Sequence, residues 1–119
     1  DWLGEWKAQW KPFCLVEPVW IVPDWEKENF SDEDKECIYI EPGMAFGTGT
    51  HATTQLASQF LVDLKDKNLN SFLDVGTGSG ILAILARKLG FQNGFAYDND
   101  PESHRVFTEN LKKNQIDQI

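Results

Sequence analysis

The sequence predicts an α/β fold, and three observations in its second half predict it. A short apolar run at residues 72–75 ends in a turn that is dense in glycine. An apolar pattern with helical spacing follows from Ile81 and stops at Gly90. A second short run at residues 94–97 ends in a carboxylate, Asp98. Strand, glycine turn, helix, strand and acid in this order are typical of the first half of a nucleotide-binding βαβ unit.

The turn itself reads Gly76-Thr77-Gly78-Ser79-Gly80. Glycine tolerates the backbone angles that an abrupt strand-to-helix turn requires. In the absence of side chains a ligand can approach the backbone, and the first N–H groups of the helix point at it. Asp98 is expected beside the same crevice, where an ionised carboxylate can accept hydrogen bonds from both ribose hydroxyls.

The spacing of the glycines narrows the choice of ligand. A dinucleotide fingerprint reads G-x-G-x-x-G/A, whereas Gly76, Gly78 and Gly80 follow G-x-G-x-G after Asp74. This version, D-V-G-T-G-S-G, resembles motif I of class I S-adenosylmethionine-dependent methyltransferases, with Asp98 as the matching acid. A nicotinamide enzyme is disfavoured because the third glycine is misplaced for it. A glycine-rich turn that binds no ligand remains the alternative.

The first forty residues precede this unit. Trp2, Trp6 and Trp10 recur at steps of four, which predicts a helix with a packed indole stripe rather than an aromatic ligand face. Short strands are predicted within residues 13–22, with Pro18 at an edge or turn, and at residues 37–40. The charged stretch between them, residues 24–36, is interpreted as a solvated loop.

A second glycine-bearing loop spans residues 41–54 and reads E-P-G-M-A-F-G-T-G-T-H-A-T-T. Thr50 can cap a helix that begins near His51. The buried side of that helix is predicted to carry four apolar residues, Leu56, Phe60, Leu61 and Leu64. Phe46 or Met44 could cover an adenine or lie near a sulfonium.

This loop, followed about twenty residues later by L-D-V-G-T-G-S-G-I-L-A-I, resembles the bacterial methyltransferases that modify protein eleven of the large ribosomal subunit. The upstream W-x-x-x-W and V-W-I-V-P-D-W segments are similar to the same family, so the resemblance covers nearly the whole chain. It implies cofactor contacts from Thr54, Gly76 and Asp98. The local geometry adds Gly78 and Phe46. His51 falls on the family's histidine but is interpreted as structural.

The resemblance also implies how much of the fold the chain carries. We expect a Rossmann-like class I methyltransferase fold of which residues 42–119 are the cofactor-binding half. Residues 1–41 are expected to form a linker helix and short strands. The family's seven-stranded sheet is represented by its first two parallel core strands, and a helix is predicted from Pro101 with Val106, Phe107, Asn110 and Leu111 on its packed side.

The expected activity is methyl transfer from S-adenosylmethionine to amino groups of a ribosomal protein. The alternatives are another protein-lysine or small-molecule acceptor on the same fold, and a non-catalytic cofactor-binding fragment. No catalytic residue is assigned, because the family's asparagine-bearing motif lies beyond Ile119. A chain of this length should expose the edge and apolar faces of its core strands, so self-association is expected.

Composition sets further bounds on function. The formal charge of −8 over 119 residues lacks the basic footprint of a nucleic-acid-binding protein. No apolar run approaches the 18 or more residues of a membrane span, and no signal peptide is visible. Cys14 and Cys37 lack metal-ligand spacing, so no metal is expected. Reduced thiols in a cytoplasmic protein are the expected state.

Overall fold

The computed structural model describes residues 11–41, 52–117 and 119. Five strands and three helices are formed by these residues: β1 (Phe13–Val16), β2 (Val19–Pro23), β3 (Glu36–Ile40), α1 (Ala52–Leu64), β4 (Ser71–Val75), α2 (Ile81–Lys88), β5 (Asn93–Tyr97) and α3 (Pro101–Lys113). The predicted α/β fold is therefore confirmed. The predicted tryptophan helix and the loop positions Met44, Phe46, Thr50 and His51 lie outside the described residues.

The first sheet has the strand order β1-β2-β3. β1 and β2 are antiparallel, with Phe13 opposite Ile21, and the chain turns between them at Glu17 and Pro18. β2 and β3 are parallel, from Val19 opposite Glu36 to Pro23 opposite Ile40. Between these two strands the charged stretch forms one short 3-10 segment, Asp24–Glu26, and is otherwise irregular, as predicted.

The second sheet consists of β4 and β5, which are parallel and joined by the crossover helix α2. The register runs from Ser71 opposite Asn93 to Val75 opposite Tyr97. Because parallel strands need a crossover connection, the short helical pattern between two apolar runs was sufficient to predict this pairing. The carboxyl ends of both strands consequently meet at one edge, where the glycine turn and Asp98 lie.

The hydrophobic core joins the two sheets through α2. Ile81, Ile84 and Leu85 of this helix cluster with Ile38 and Ile40 of β3, and Ile84 and Leu85 are fully buried. The predicted packed side of α3 is also confirmed, since Val106 and Asn110 are fully buried and Leu111 is 8% exposed. Both helices therefore pack against the first sheet.

The predicted buried side of α1 is wrong in part. Leu56 and Phe60 are 64% and 67% exposed, Leu64 is 40% exposed, and of the four only Leu61 packs against the core. The buried residue of this helix is Ser58. Apolar residues occupy two sides of α1, and the side with small residues at positions 57 and 58 is the one that can approach α2 closely.

One face of the second sheet is apolar and exposed. Leu73 and Val75 of β4 lie opposite Phe95 and Tyr97 of β5, and all four side chains are at least 60% exposed. Alternate residues such as Phe72 point to the other face, toward the helices. A near-continuous apolar strand is typical of a parallel sheet that is covered on both faces. We call these four residues the open sheet face.

Candidate cofactor site

The glycine turn lies at the carboxyl end of β4 and is attached to the end of β5. The N–H groups of Gly76 and Thr77 both donate to the carbonyl oxygen of Tyr97, at 2.7 and 3.0 Å. Gly76 and Gly78 have φ values of +76° and +56°, in the left-handed region that L side chains rarely adopt. The positive φ angles therefore explain why glycine is needed at positions 76 and 78.

Gly80 has a second reason to be glycine. Its φ of +92° is left-handed, and a Cβ atom built there would overlap the ring of Phe107 on α3. Gly80 also directly precedes α2, and its N–H donates to the carbonyl oxygen of Thr77 at 2.9 Å. The third glycine thus allows α3 to pack directly against the beginning of α2, which closes one wall of the site.

Asp98 follows β5 and faces the glycine turn. Its Oδ2 accepts a hydrogen bond from the N–H of Gly78 at 3.0 Å, and its Oδ1 accepts one from the N–H of Asp100 at 2.9 Å. An ionised carboxylate offers about four acceptor positions, so two remain after these bonds. The side chain is half-buried. Asp98 is consequently held in one orientation while it keeps acceptor capacity for a pair of hydroxyl groups.

Gly78, a predicted cofactor contact, precedes α2, and its N–H donates to the Asp98 carboxylate. This bond orients the carboxylate. The N–H groups predicted to point at a ligand are the first ones of α2.

Asp74, the last inward-facing residue of β4, binds the glycine turn through its side chain. Its Oδ2 accepts a hydrogen bond from the hydroxyl of Thr77 at 2.7 Å, and its carboxylate also bonds to the backbone of Ala83 in α2. Burial raises the pKa of Asp74 and the negative charge of Asp98 adds to this effect, whereas the bonds from Thr77 and Ala83 oppose it. Sequence reasoning missed this role, although an acid at an inward-facing strand position was a signal for it.

A cleft of about 300 Å³ opens beside Thr77 and Asp98 and continues along α3. Ala96, Phe107 and Leu111 form apolar parts of its wall. This volume is at the lower end of the range for small-molecule pockets, roughly 300–1,000 Å³, and the combination of apolar walls with a few polar groups is typical of them. An oriented acid, a glycine turn and an adjacent cleft with apolar walls therefore lie together at this edge of the sheet.

The structure brings together three of the five predicted cofactor residues, namely Gly76, Gly78 and Asp98. Thr54 lies in the first turn of α1, where its carbonyl oxygen accepts a hydrogen bond from the hydroxyl of Ser58 at 2.8 Å. Phe46 lies outside the described residues. Within the described ranges, no cluster of three or more His, Cys, Asp or Glu side chains could hold a metal ion.

Cys14 and Cys37 are both free thiols. Over the part of the chain that the structure describes, none of the helices has both the length and the apolar character needed to cross a bilayer.

The chain has relatives among known proteins in both sequence and structure. The family model described as ribosomal protein L11 methyltransferase (PrmA) matches residues 1–119. Ribosomal protein L11 methyltransferases of Staphylococcus saprophyticus and Heliobacterium modesticaldum are 44% and 46% identical over 117 and 119 residues. These alignments cover 98% and 100% of this chain, which spans 37% of the length of each of these relatives.

A solved structure supports the same relationship. The crystal structure of ribosomal protein L11 methylase from Lactobacillus delbrueckii subsp. bulgaricus superposes with a TM-score of 0.75 at 38% identity. The match covers 90% of this chain and 54% of that one. The family resemblance of the loop and glycine motifs is thereby confirmed, and the chain belongs to the ribosomal protein L11 methyltransferase family.

Proposed function

We propose that this chain is the cofactor-binding part of an S-adenosylmethionine-dependent methyltransferase that modifies amino groups of ribosomal protein L11. Residues 42–119 form the cofactor-binding half, and residues 1–41 lead into it. The observation that carries the proposal is the Asp98 carboxylate, oriented by Gly78 beside a glycine turn and a cleft. Family membership over residues 1–119 supports the substrate assignment.

Within this proposal each residue has a defined task. When bound, the cofactor would supply a methyl group attached to a sulfonium. The sulfur would become a neutral thioether when the methyl is transferred. Asp98 accepts the ribose hydroxyls at its two remaining acceptor positions. The turn at Gly76 lets the cofactor lie against the backbone, and Thr54 and Phe46 supply further contacts from the preceding loop and helix.

The demands of the reaction are mainly positional. A neutral leaving group needs little charge stabilisation, whereas fixing an amine in line with the methyl can contribute roughly 7–11 kcal/mol. The amine must also be deprotonated. For a lysine with a pKa of about 10.4 this costs roughly 4–5 kcal/mol at pH 7, and an apolar site lowers the cost because it disfavours the ammonium form. We assign no general base among the described residues.

The proposed cellular location follows from the proposed substrate. Ribosomal proteins are present in the cytoplasm, and the two free thiols are compatible with a reducing compartment. The proposed macromolecular partner is therefore a protein with accessible amines rather than nucleic acid or a membrane.

A methyl-transfer assay tests the proposal. The complete methyltransferase that contains this chain is incubated with S-adenosylmethionine labelled in its methyl group and with unmethylated L11. We expect label in L11, at amino groups located by mass spectrometry. Retained cofactor binding without transfer to L11 would contradict the proposed substrate. A screen of the other ribosomal proteins then separates a different acceptor from a protein that only binds the cofactor.

A further inference from the structure

Two buried asparagines, Asn110 and Asn114, lie one turn apart on α3 and its C-terminal end. They are 0% and 7% exposed. Each uses its side-chain amide to bind the backbone of other elements, and each is far in sequence from those partners. Buried amides of this kind are costly to leave unpaired, so the groups they contact are held firmly. The two residues differ in what they hold.

Asn110 joins the first sheet to the glycine turn. Its Oδ1 accepts a hydrogen bond from the N–H of Glu41, which directly follows β3, at 2.7 Å. Its Nδ2 donates to the carbonyl oxygen of Ser79 at 2.8 Å. One fully buried side chain therefore bridges residues that are 69 and 31 positions away from it.

Asn114 binds β3 and the preceding turn of α3. Its Oδ1 accepts from the N–H of Tyr39 at 2.8 Å, and its Nδ2 donates to the carbonyl oxygens of Tyr39 at 2.6 Å and of Asn110 at 2.8 Å. The amide thus pairs with the edge of β3 as a neighbouring strand would. None of these bonds reaches the glycine turn, so Asn114 is a natural control for Asn110.

The position of Ser79 gives the Asn110 bond its importance. Ser79 lies between Gly78, whose N–H orients Asp98, and Gly80, which packs under Phe107. Three glycines in five residues leave few side chains to anchor this turn, and glycine has more backbone freedom to lose than any other residue. The Ser79 carbonyl shares its peptide group with the Gly80 N–H, which donates to the Thr77 carbonyl oxygen at 2.9 Å. The Thr77 carbonyl in turn shares its peptide group with the Gly78 N–H, so a buried donor on the Ser79 carbonyl restricts the Gly78 N–H through this bond.

From this arrangement we infer that Asn110 is a positioning residue for the cofactor site. It acts through Ser79 to fix the glycine turn against Asp98, and it does not touch the cofactor. The inference rests on the proposed function, since it assumes that this site binds S-adenosylmethionine. It predicts that cofactor affinity depends on Asn110 and not on Asn114, although both are buried and both stabilise the fold.

Two substitutions of Asn110 distinguish the effect of its bond to Glu41 from the effect of its bond to Ser79. Asn110→Asp keeps an acceptor for the Glu41 N–H but places an oxygen against the carbonyl of Ser79. Asn110→Leu has a similar size and removes both bonds. Asn114→Leu is the matched control. All are made in the complete protein, and thermal unfolding defines a temperature at which every variant is folded.

The first readout is backbone hydrogen exchange without cofactor. We expect faster exchange at Gly78 in both Asn110 variants, because its N–H loses a fixed acceptor geometry, and normal exchange there in Asn114→Leu. Exchange at Glu41 should rise in Asn110→Leu and stay low in Asn110→Asp. Unchanged Gly78 exchange in both Asn110 variants would overturn the inference.

The second readout is calorimetric titration with S-adenosylmethionine. We expect both Asn110 variants to bind about tenfold more weakly or worse, because small displacements in a site are costly, and Asn114→Leu to bind within about twofold of wild type. Equal losses in the Asn110 and Asn114 variants would show a purely structural role and overturn the inference. If wild type itself does not bind, the proposed function fails and the inference fails with it. Wild-type binding with unaffected Asn110 variants overturns the inference alone.

Discussion

The N–H of Gly78 donates to the carboxylate of Asp98 across 3.0 Å, which joins the turn after β4 to the residue that follows β5. The two residues are 20 positions apart, and their strands are parallel neighbours. The same carboxylate accepts the N–H of Asp100 through its other oxygen. The proposed ribose acceptor is therefore oriented before any cofactor arrives, which reduces the cost of ordering it on binding.

Replacing Asp98 tests its charge. Asp98→Asn keeps one acceptor oxygen but removes the negative charge, and bonds to charged groups contribute about 1.5–3 kcal/mol each. We expect S-adenosylmethionine to bind roughly tenfold to a hundredfold more weakly in calorimetry, at 1.4 kcal/mol per tenfold. The matched control is Asp100→Asn. Asp100 caps α3 through the N–H of Glu102, and asparagine caps equally well, so its affinity should be unchanged. Equal affinities for all three proteins would refute the ribose role.

The contact between Gly80 and Phe107 predicts a difference between two glycine substitutions. Gly80→Ala and Gly90→Ala both place a side chain at positive φ, +92° and +106°, but a Cβ meets the Phe107 ring only at Gly80. A left-handed alanine costs roughly 1–2 kcal/mol, so Gly80→Ala should lose more stability than Gly90→Ala in denaturant unfolding. Adding Phe107→Ala should narrow the gap, measured as a double-mutant cycle. Equal losses at the two glycines would contradict the contact.

Asp74 predicts a pH dependence of stability. Burial, reinforced by the charge of Asp98, raises its pKa above the usual 3.8 in the folded protein. Between the usual and the raised value the folded state binds more protons at this site than the unfolded state, so its contribution to stability falls as the pH rises. Relative to wild type, Asp74→Asn should gain stability as the pH rises from 3.8 and then level off.

The measurement is the free energy of unfolding of both proteins as a function of pH. The exposed Asp66 provides the control, since Asp66→Asn removes one carboxylate outside the site. A difference between wild type and Asp74→Asn that is flat, or that changes in the opposite direction, would contradict the raised pKa.

The open sheet face predicts association of the 119-residue chain when it is studied alone. Leu73 and Phe95 lie opposite each other and are 67% and 69% exposed, and large exposed apolar patches mark interaction surfaces. Sedimentation should show oligomers, and the double substitution Leu73→Lys with Phe95→Lys should shift them toward monomer. Phe60→Lys, on the exposed side of α1, is the control. A monomeric wild-type chain would argue against this surface.

The sequence predicted the elements well because each has a local cause. Glycines separate β4 from α2, and Asp100 with Pro101 begins α3, so these boundaries follow from capping and backbone preferences. The parallel pairing of β4 and β5 follows from the helix between them. Asp98 could be placed in the site because the carboxyl ends of parallel strands meet at one edge.

The parts that were missed depend on contacts between distant residues. Nothing local indicates that Asn110 bonds to Ser79, or that Gly78 gives its N–H to Asp98. The packed side of α1 was wrong because Phe60 and Leu61 offer two apolar sides, and only the tertiary arrangement selects between them. Helical periodicity reports that a face is apolar and does not report what covers it.

The most direct test of the central claim is calorimetric titration of the complete protein with S-adenosylmethionine and, separately, with NAD. The G-x-G-x-G spacing and the oriented Asp98 predict saturable one-site binding of S-adenosylmethionine, loss of most affinity in Asp98→Asn, and no binding of NAD. Binding of NAD in place of S-adenosylmethionine, or binding of neither, would contradict the assignment of this site.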